Sequence, residues 1–587
     1  MELELISLNG SGILLDQVNN LAATVAKSQE RKDRTTKLDH ADRIIDILET
    51  EGELTLQSPL RTAVYLHDVI YTGSRNNQSY NGEFLSNVYS RLQGKKPAEY
   101  APSLYALGVA CSAQQFEDVA EQWREHIFKY AVCTVNHPPE LAFLEDSIRT
   151  TLENYHGSTV SMEMVSEYKF QLIAALTDGG VPVSDEMMAW RAPMADPAAI
   201  LGVISSYDIE GLIIKSAEVI DNLRFPNPER PAAAWRDAQE LLSFYQPLLE
   251  VAGFKKLAMI AQDTAFTHLN SRDPHLVTTA RELNAKGKAF FNEFGQTLLM
   301  AVPESILVSD KEYRIKTPGS IQEKLRTKDK GLGMVPDAIG LNFVIADTNL
   351  NATSRSEIIQ VGDIHADLAE NRIAQFMRLS LEVLNGVLEA VPGIEPEHTR
   401  PGEPSIEINF GDKEEFSELF FLFNGREPEA GEPLNLKTTL SGKGISLKLH
   451  TARKSGYQAA HLSFKYDGLG GEIKIQTDRD QYYNDIGMAS HVMYKAREAL
   501  GRFGYLKRRS FATPEFEREQ DRLLNMFFLI RSRADFFKAN YQRKFILTNG
   551  GLQKLAEIES LFNLPGLLND EVRALIHPDE LEGVELV

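Results

Sequence analysis

Alternating apolar and polar residues in the last third of the chain predict a β-hairpin. Leu462, Phe464 and Tyr466 alternate with polar residues, and Ile473 and Ile475 do the same after a glycine-rich turn. Burying both apolar rows on one side brings the polar residues together on the other, because successive side chains of a strand point to opposite faces. The hairpin is therefore predicted to present one polar face.

This polar face combines a carboxylate with basic and amide side chains. Its members are His461, Glu472, Lys474 and Gln476. A carboxylate among cations on a strand face is suited to catalysis. An amphipathic hairpin whose polar face is only solvated is the alternative that the pattern leaves open.

Helical periodicity dominates the first 300 residues. A helix ending near Gly52 carries His40 close to its start, and an apolar helix from Leu60 to Ile70 carries the adjacent pair His67 and Asp68. A buried imidazole beside a carboxylate needs a partner, and both groups are common ligands of divalent cations. A His–Asp hydrogen bond that only orients the helix is the alternative reading.

A later helix carries Glu218 and Asn222 four residues apart. Residues with this spacing share a helical face, so the pair is placed to complete a site begun by the two histidines. The region from about 80 to 195 is mostly helical and offers no chemistry of its own, which favours a scaffold or an insertion.

A cluster of cations surrounds a strand-to-helix turn in the second half of the chain. Arg314, Lys316 and Lys324 flank a Pro-Gly break, and Ser320 lies near the start of the helix that follows. Fixed positive charge and exposed N–H groups at a helix N-terminus favour bound phosphate, although a solvated surface loop is the alternative. Asp337 precedes a nearly continuous apolar strand, a position suited to a magnesium ligand.

Composition narrows the classes of protein to consider. The 587 residues suggest several domains, and the net charge of -21 argues against a nucleic-acid footprint over the whole surface. Two cysteines provide no disulfide framework, and neither a signal sequence nor a membrane-spanning apolar run is recognisable. A cytoplasmic protein without a membrane partner is predicted.

Five motifs follow one another in the second half of the chain. They are R-x-K-x-x-x-S-I-x-x-K from Arg314, Asp337 before a strand, GYQAAH at Gly456 to His461, EIKIQT at Glu472 to Thr477, and G-x-A-x-H-x-x-Y-K at Gly487 to Lys495. In this combination and order they resemble the synthetase domain of the RelA/SpoT alarmone enzymes.

The resemblance implies transfer of a pyrophosphoryl group from ATP to the ribose 3′-hydroxyl of GDP or GTP. The implied nucleotide contacts are Arg314, Lys316, Ser320 and Lys324 for ATP, and Tyr457, His461 and Lys474 for the acceptor. Asp337 and Glu472 would hold Mg²⁺, and Glu472 would also accept the hydroxyl proton. Phosphoryl-type transfer depends on positioning and charge stabilisation, so it needs no activated protein nucleophile.

The N-terminal half resembles the HD-type hydrolase domain of the same family. The matching motifs are R-K at Arg31 and Lys32, then His40, L-H-D at Leu66 to Asp68, and K-x-A-x-x-x-x-N at Lys215 to Asn222. The resemblance implies a divalent cation such as Mn²⁺ held by His40, His67, Asp68 and Glu218. Arg31, Lys32 and Asn222 would contact the nucleotide.

Departures from the family pattern occur in both halves. Asn342 replaces an arginine, and Lys474 and Gln476 replace a glutamine and an arginine, so one cation has moved by two positions along a strand face. In the hydrolase-like half, Glu218 replaces an aspartate, and Tyr71 and Thr72 replace the Glu-Asp pair that positions the attacking water. Hydrolysis is therefore predicted to be slow or absent.

The sequence predicts an α+β chain with two domains and a tail. An all-helical HD-type domain occupies 1–280 with an insertion at about 80–195, and a mixed sheet-and-helix, nucleotidyltransferase-like synthetase domain occupies 285–505 with an elaboration at about 392–435. A helical tail occupies 506–587, and the family's usual C-terminal regulatory domains are not recognisable. If the chain is a nucleotide sensor, this tail is the predicted contact for a protein partner.

Two other functions remain open from the sequence. One is a 3′-pyrophosphohydrolase of the alarmone with a decayed synthetase. The other is a non-catalytic sensor of guanine nucleotides. Consumption of the alarmone in the first case, and binding without turnover in the second, distinguish them from synthesis.

Overall fold

The structure is a computed structural model of the chain. It describes residues 11–31, 35–72, 79–132, 139–178, 182–192, 209–227, 230–327, 335, 337–351, 358–361, 364–367, 372–397, 404–410, 413–429, 432–451, 457–486, 530–532, 534–535, 537–538, 547 and 549–576. These residues divide between a helical unit, Met1–Leu269 with Ala496–Val587, and a sheet unit, Asn270–Lys495. The predicted α+β class is confirmed.

The N-terminal part of the helical unit contains twelve α-helices and one short hairpin among the described residues. The helices are α1 (Ser11–Ser28), α2 (Lys37–Asp46), α3 (Ser58–His67), α4 (Gly82–Leu92), α5 (Pro97–Val132), α6 (Pro139–His156), α7 (Met162–Asp178), α8 (Asp185–Ala189), α9 (Ile209–Arg224), α10 (Pro231–Glu240), α11 (Gln246–Val251) and α12 (Lys255–Leu269). The hairpin pairs β1 (Tyr71–Thr72) with β2 (Ser79–Tyr80). Two π-helical stretches, Ile47–Glu51 and Leu241–Tyr245, continue α2 and α10.

Local sequence explains the start of α2 and of α3, the two helices that carry the buried histidines. A capping box between Thr36 and Asp39 starts α2 and places His40 in its first turn. Pro59 at the start of α3 supplies no N–H where none is needed, and α3 ends at His67. Both histidines therefore lie at helix ends rather than in helix centres.

Helix α5 is the scaffold of the helical unit. It contacts α1, α3 and α9, and two of these helices carry residues of the predicted metal cluster. Its first half is almost entirely buried, including Leu104, Leu107 and Cys111. The region from about 80 to 195 therefore contributes directly to the support of α3 and α9.

The sheet unit is built around an eight-stranded mixed sheet. Its strands are β3 (Val308–Ile315), β4 (Ile339–Ile345), β7 (Glu395–Pro396), β8 (Ser405–Phe410), β9 (Leu434–Leu440), β10 (Lys443–Thr451), β11 (Ala459–Tyr466) and β12 (Leu469–Thr477). Their order is β3–β4–β12–β11–β8–β10–β9, with β7 beside β11. A separate hairpin pairs β5 (Ile358–Val361) with β6 (Ile364–Asp367).

Six helices accompany the sheet among the described residues of this unit. They are α13 (Pro274–Met300), α14 (Pro318–Thr327), α15 (Thr348–Asn351), α16 (Arg372–Ala390), α17 (Lys413–Asn424) and α18 (Asp478–Ile486). One face of the sheet is apolar and shares a core with α13, α16 and α17, to which Phe343, Ile473 and Phe464 contribute. The opposite face carries the polar residues of the same strands, as the alternation in the sequence predicts.

The predicted elaboration at 392–435 adds strands to this sheet. Strand β7 pairs with β11, and β8 lies between β11 and β10. Helix α17 follows β8 in the chain and places Phe416, Leu419 and Phe420 in the common core. The segment is therefore an integral part of the sheet unit.

The described residues near the C-terminus belong to the helical unit. They include α19 (Asn549–Leu561) and α20 (Asp570–Ile576), and both helices contact α5. The Tyr100 hydroxyl donates a hydrogen bond to the carbonyl oxygen of Leu567 over 3.0 Å, and the ring of Phe562 packs edge-on against Tyr80. None of the helices in the described ranges is both long and apolar enough to cross a membrane.

Candidate functional site

The polar residues of the hairpin lie in rows across the sheet. Antiparallel pairing of β11 and β12 sets His461 opposite Lys474, and parallel pairing of β12 and β4 sets Lys474 opposite Asn342. In the next row, Glu472 lies opposite Gly340. The predicted hairpin and its single polar face are confirmed.

Gly340 creates an opening in this polar face. It is paired with Glu472 on one side and with Arg314 on the other. Among the residues that the structure describes, a methyl group at residue 340 would approach only the carbonyl oxygens of Arg314 and Glu472, each at 4.0 Å. The side chains of these two residues therefore flank a shallow depression that has bare backbone as its floor. Sequence reasoning missed Gly340, although it stands three residues after the predicted magnesium ligand.

Asp337 lies between two of the predicted phosphate-binding cations. Its Oδ2 is 3.3 Å from the Lys316 ammonium and accepts a hydrogen bond from Lys324. Burial alone would raise the pKa of Asp337, but the two lysines outweigh it and hold the pKa below its ordinary value. Burial also lowers the pKa of Lys316 to about 8, with Arg314 adding to the effect.

The other oxygen of Asp337 supports the predicted metal role. Asp337 Oδ1 is buried and has no hydrogen-bond partner among the residues that the structure describes. A buried carboxylate oxygen without a partner is costly, and it is the type of donor that Mg²⁺ prefers. The residues present at Asp337 therefore fit such an ion.

Glu472 belongs to a chain of hydrogen bonds with His461 and Tyr457. His461 Nδ1 lies 3.0 Å from Glu472 Oε1, and His461 Nε2 lies 2.7 Å from the Tyr457 hydroxyl. Burial alone would raise the pKa of Glu472, but the hydrogen bond from His461 outweighs it and leaves the pKa below its ordinary value. The structure thus brings these three predicted residues together and keeps Glu472 ionised.

Two of the three positions that depart from the family pattern in the sheet unit, Asn342 and Gln476, contact each other. Gln476 Nε2 donates to Asn342 Oδ1 over 3.2 Å, and Asn484 Nδ2 donates to Gln476 Oε1 over 3.0 Å. Amides thus occupy both sites where the pattern has arginines. Lys474 is the cation in the row of Asn342, and its ammonium lies 5.5 Å from the centre of the Tyr457 ring.

The remaining predicted contacts of the sheet unit are placed as follows. Arg314 is exposed on β3, and the Ser320 N–H donates to Thr317 Oγ over 3.3 Å in the first turn of α14. Gly456 and the motif from Gly487 to Lys495 lie outside the described residues.

The helical unit brings three predicted metal ligands into one cluster. His40, His67 and Asp68 each offer a ligand atom, and these atoms lie within 4.8 Å of one another. His40 is fully buried and His67 is 6% exposed. The Nε2 atoms of both histidines are buried and have no hydrogen-bond partner in the part of the chain that is described. Two buried imidazole nitrogens directed at a carboxylate fit a divalent cation.

Charged neighbours surround this cluster. Arg31 donates to Asp68 Oδ2 over 2.9 Å and to Asn222 Oδ1 over 2.6 Å, which brings two predicted nucleotide contacts together. Although burial opposes it, His67, His40 and Arg31 hold the pKa of Asp68 far below its ordinary value. Lys32 lies outside the described residues.

Glu218, the fourth predicted ligand, lies beside the cluster. Its Oε2 is 3.7 Å from His67 Nε2 and accepts a hydrogen bond from Lys215 over 2.7 Å. Burial lowers the pKa of His67, which favours the neutral imidazole that a metal ligand requires.

One residue of this site was missed by the sequence reasoning. Asp221 Oδ2 lies 2.6 Å from His40 Nδ1, and Asp221 also pairs with Arg43. The helical spacing offered a signal, because Asp221 stands three residues after Glu218 and immediately before Asn222.

Tyr71 and Thr72, which stand where the family pattern has a Glu-Asp pair, form strand β1. The ring of Tyr71 stacks on Tyr80 with centroids 5.1 Å apart, and Thr72 is exposed. Burial raises the pKa of Tyr71 well above its ordinary value, so its phenol does not act as a base near neutral pH. Neither side chain supplies the carboxylate of the family pattern.

Comparison with known proteins identifies distant relatives. No protein-family model matches the chain. The proteins named GTP pyrophosphokinase rsh from Brucella ovis and from Brucella abortus (strain 2308) are each 23% identical to it over 207 residues. The protein of the same name from Brucella melitensis biotype 1 is 21% identical over 207 residues.

These matches cover only part of each protein. Each covers 35% of this chain and 27% of the relative, so the chain matches about a quarter of the length of these relatives. The similarity supports a distant relationship of this chain to the GTP pyrophosphokinases of the RelA/SpoT family.

Proposed function

We propose that the sheet unit transfers a pyrophosphoryl group from ATP to the ribose 3′-hydroxyl of GDP or GTP. The observation that carries this proposal is the depression over Gly340, which is flanked by Glu472 and Arg314. The Asp337 cluster, with Lys316 and Lys324, adds two further cations to the same unit. The name of the distant relatives supports the same reaction class.

The proposed reaction forms one bond and breaks one bond. The acceptor 3′-oxygen attacks the β-phosphorus of ATP, and the bond between that phosphorus and the α,β-bridging oxygen breaks. The bridging oxygen keeps the electron pair and leaves as part of AMP. Glu472 accepts the proton of the 3′-hydroxyl, which agrees with an ionised carboxylate held by His461.

The donor phosphates would be bound at the cationic side of the depression. Arg314, Lys316 and Lys324 supply fixed positive charge against the negative charge of the triphosphate. Asp337 and Glu472 would hold Mg²⁺, which neutralises charge on the polyphosphate when bound.

The acceptor would bind on the side of Tyr457. Its ring would stack on the purine, and the ammonium of Lys474, 5.5 Å from the ring centre, places positive charge beside it. His461 and Lys474 would contact the acceptor phosphates. The Lys474 cation, opposite Asn342 in the sheet, partly offsets the arginine that the family pattern has there.

For the helical unit we propose a divalent-cation site with weak or absent hydrolysis. His40, His67, Asp68 and Glu218 would hold an ion such as Mn²⁺, which lowers the pKa of bound water when present. Tyr71 and Thr72 provide no carboxylate to orient that water or to accept its proton.

The test of synthesis uses the full-length chain with ATP, Mg²⁺ and either GDP or GTP. Wild-type protein should form a 3′-pyrophosphorylated nucleotide together with an equal amount of AMP. Glu472→Gln should abolish the product. Glu389→Gln makes the same change from carboxylate to carboxamide at an exposed residue of α16 and should not change the rate. Absence of product with both acceptors refutes the proposal.

Alarmone hydrolysis is the second candidate function, because the buried Nε2 atoms of His40 and His67 fit a metal. Release of pyrophosphate from guanosine tetraphosphate by the wild type, and not by His67→Ala, would establish it. Guanine-nucleotide binding without turnover at either site would instead indicate a sensor.

A further inference from the structure

We infer that Asp221 is a positioning residue for a divalent cation at the His40–His67–Asp68 cluster, acting through the imidazole of His40. Asp221 Oδ2 lies 2.6 Å from His40 Nδ1. The side chains of His40 and Asp221 are 0% and 1% exposed, so no water competes for this contact. Neither the family motifs nor the relatives assign a role to Asp221.

The hydrogen bond decides which nitrogen of His40 is available. An ionised carboxylate only accepts hydrogen bonds, so Nδ1 carries the hydrogen and Nε2 of the neutral ring carries the lone pair. His40 Nε2 is buried without a hydrogen-bond partner within the described ranges and lies 3.8 Å from Asp68 Oδ2. Asp221 thus directs a basic nitrogen at a predicted metal ligand.

Asp221 is itself held in a fixed orientation. The guanidinium of Arg43 binds both of its oxygens, with Nε 2.7 Å from Oδ1 and Nη2 2.9 Å from Oδ2. The same guanidinium lies 4.3 Å from the centre of the Phe225 ring. The carboxylate therefore cannot rotate away from His40 without breaking two charged hydrogen bonds.

His67 reaches the same arrangement by a different contact. Its Nδ1 donates to the carbonyl oxygen of Val64, which again leaves Nε2 as the acceptor nitrogen. Two imidazoles on different helices thus present the same atom to one cluster of ligand atoms. A carboxylate or carbonyl behind each ring is the usual support of a histidine that binds a metal.

A purely structural role for Asp221 makes a different prediction. A buried ion pair with Arg43 would stabilise the fold whether or not His40 is present. If Asp221 acts through His40, its effect on metal affinity disappears once the imidazole is removed, because coupled residues are not additive. A double-mutant cycle on metal affinity therefore distinguishes the two roles.

The experiment measures Mn²⁺ binding to the full-length chain by calorimetric titration and by the electron paramagnetic resonance signal of free Mn²⁺. Asp221→Asn should weaken binding by about 10- to 100-fold. In the His40→Ala background the same substitution should change affinity by less than about twofold. Asp146→Asn, which removes a carboxylate 62% exposed on α6, should leave affinity unchanged.

Three results would overturn the inference. They are a wild type that binds no Mn²⁺, an Asp221→Asn variant with wild-type affinity, and an equal loss in both backgrounds. If Asp221→Asn does not fold, Arg43→Gln tests the same point, because it frees the carboxylate to rotate. Arg43→Gln should weaken Mn²⁺ binding, and unchanged binding would contradict the inference.

The role of Asp221 rests on the cation site proposed for the helical unit and is independent of pyrophosphoryl transfer in the sheet unit. Loss of the nucleotide product in Glu472→Gln tests only the sheet unit. Mn²⁺ affinity in the Asp221 series tests only the helical unit, so failure of one leaves the other intact.

Discussion

The depression over Gly340 yields the most direct test of the proposed active site. Gly340→Ala and Gly340→Val add one and three carbons to the polar face, between Arg314 and Glu472. Both substitutions leave every charged residue in place. They therefore test whether the space itself is needed for substrate.

The structure predicts little cost to folding. A Cβ at residue 340 would be 4.0 Å from its nearest described neighbours, which is ordinary van der Waals contact, and the backbone of Gly340 is not in the left-handed conformation that disfavours a side chain. Removing glycine from a strand interior should stabilise the fold by about 0.5–1 kcal/mol. The free energy of unfolding should therefore rise slightly.

Activity should fall in the same variants. A displacement of bound substrate by about 1 Å costs on the order of 100-fold in rate, which corresponds to about 2.7 kcal/mol of transition-state stabilisation. We expect kcat/KM for nucleotide synthesis to fall by about 10-fold in Gly340→Ala and by about 100-fold or more in Gly340→Val.

A second glycine of the sheet provides the matched control. A Cβ at Gly471 would lie 2.2 Å from the Phe464 ring, on the apolar face. Gly471→Ala should therefore destabilise the sheet unit by about 1–3 kcal/mol through overpacking. Urea unfolding and product formation, measured on both glycine series, separate the two effects.

Two outcomes would refute the reasoning about Gly340. Full synthesis by Gly340→Val would show that no substrate atom occupies the depression. A loss of activity that follows a loss of stability, as in Gly471→Ala, would show that the methyl disturbs the fold.

Three further predictions concern charge, burial and the C-terminal segment. Asn342→Arg places a second cation in the row of Lys474 and should lower the KM for nucleotide by several-fold in the synthesis assay. An unchanged or higher KM would contradict the proposed phosphate contact. In a Cys133→Ser variant, Cys111 is the remaining thiol, and burial raises its pKa to about 12. The folded variant should therefore not react with a thiol reagent at pH 8 until urea unfolds it. Rapid reaction of the folded protein would contradict this burial. Leu547→Ala removes a fully buried side chain and should lower the free energy of unfolding of the helical unit by about 2–5 kcal/mol, measured by thermal unfolding. Leu561→Ala, at a leucine 62% exposed, should change it little. Equal losses of stability in the two variants would contradict the packing of this segment.

The local pattern of the sequence determined several elements of this protein. Alternation in the hairpin predicted both its strands and the shared face of His461, Glu472 and Lys474, because the period of a strand is two residues. Helical spacing likewise predicted that His40 and His67 lie on helices. These features depend on neighbours within a few residues, and the sequence contains that information.

Only the tertiary structure decided which distant residues meet. Asp221 and His40 are 181 residues apart in the chain, and the packing of α2 against α9 sets their contact. Gly340 became part of the site through pairing with β3 and β12, which come from separate parts of the chain. Long-range packing of the same kind also decides which elements the C-terminal helices and the strands of the 392–435 segment contact. Sequence periodicity specifies which face of an element is buried, whereas the choice of partner for that face depends on the whole fold.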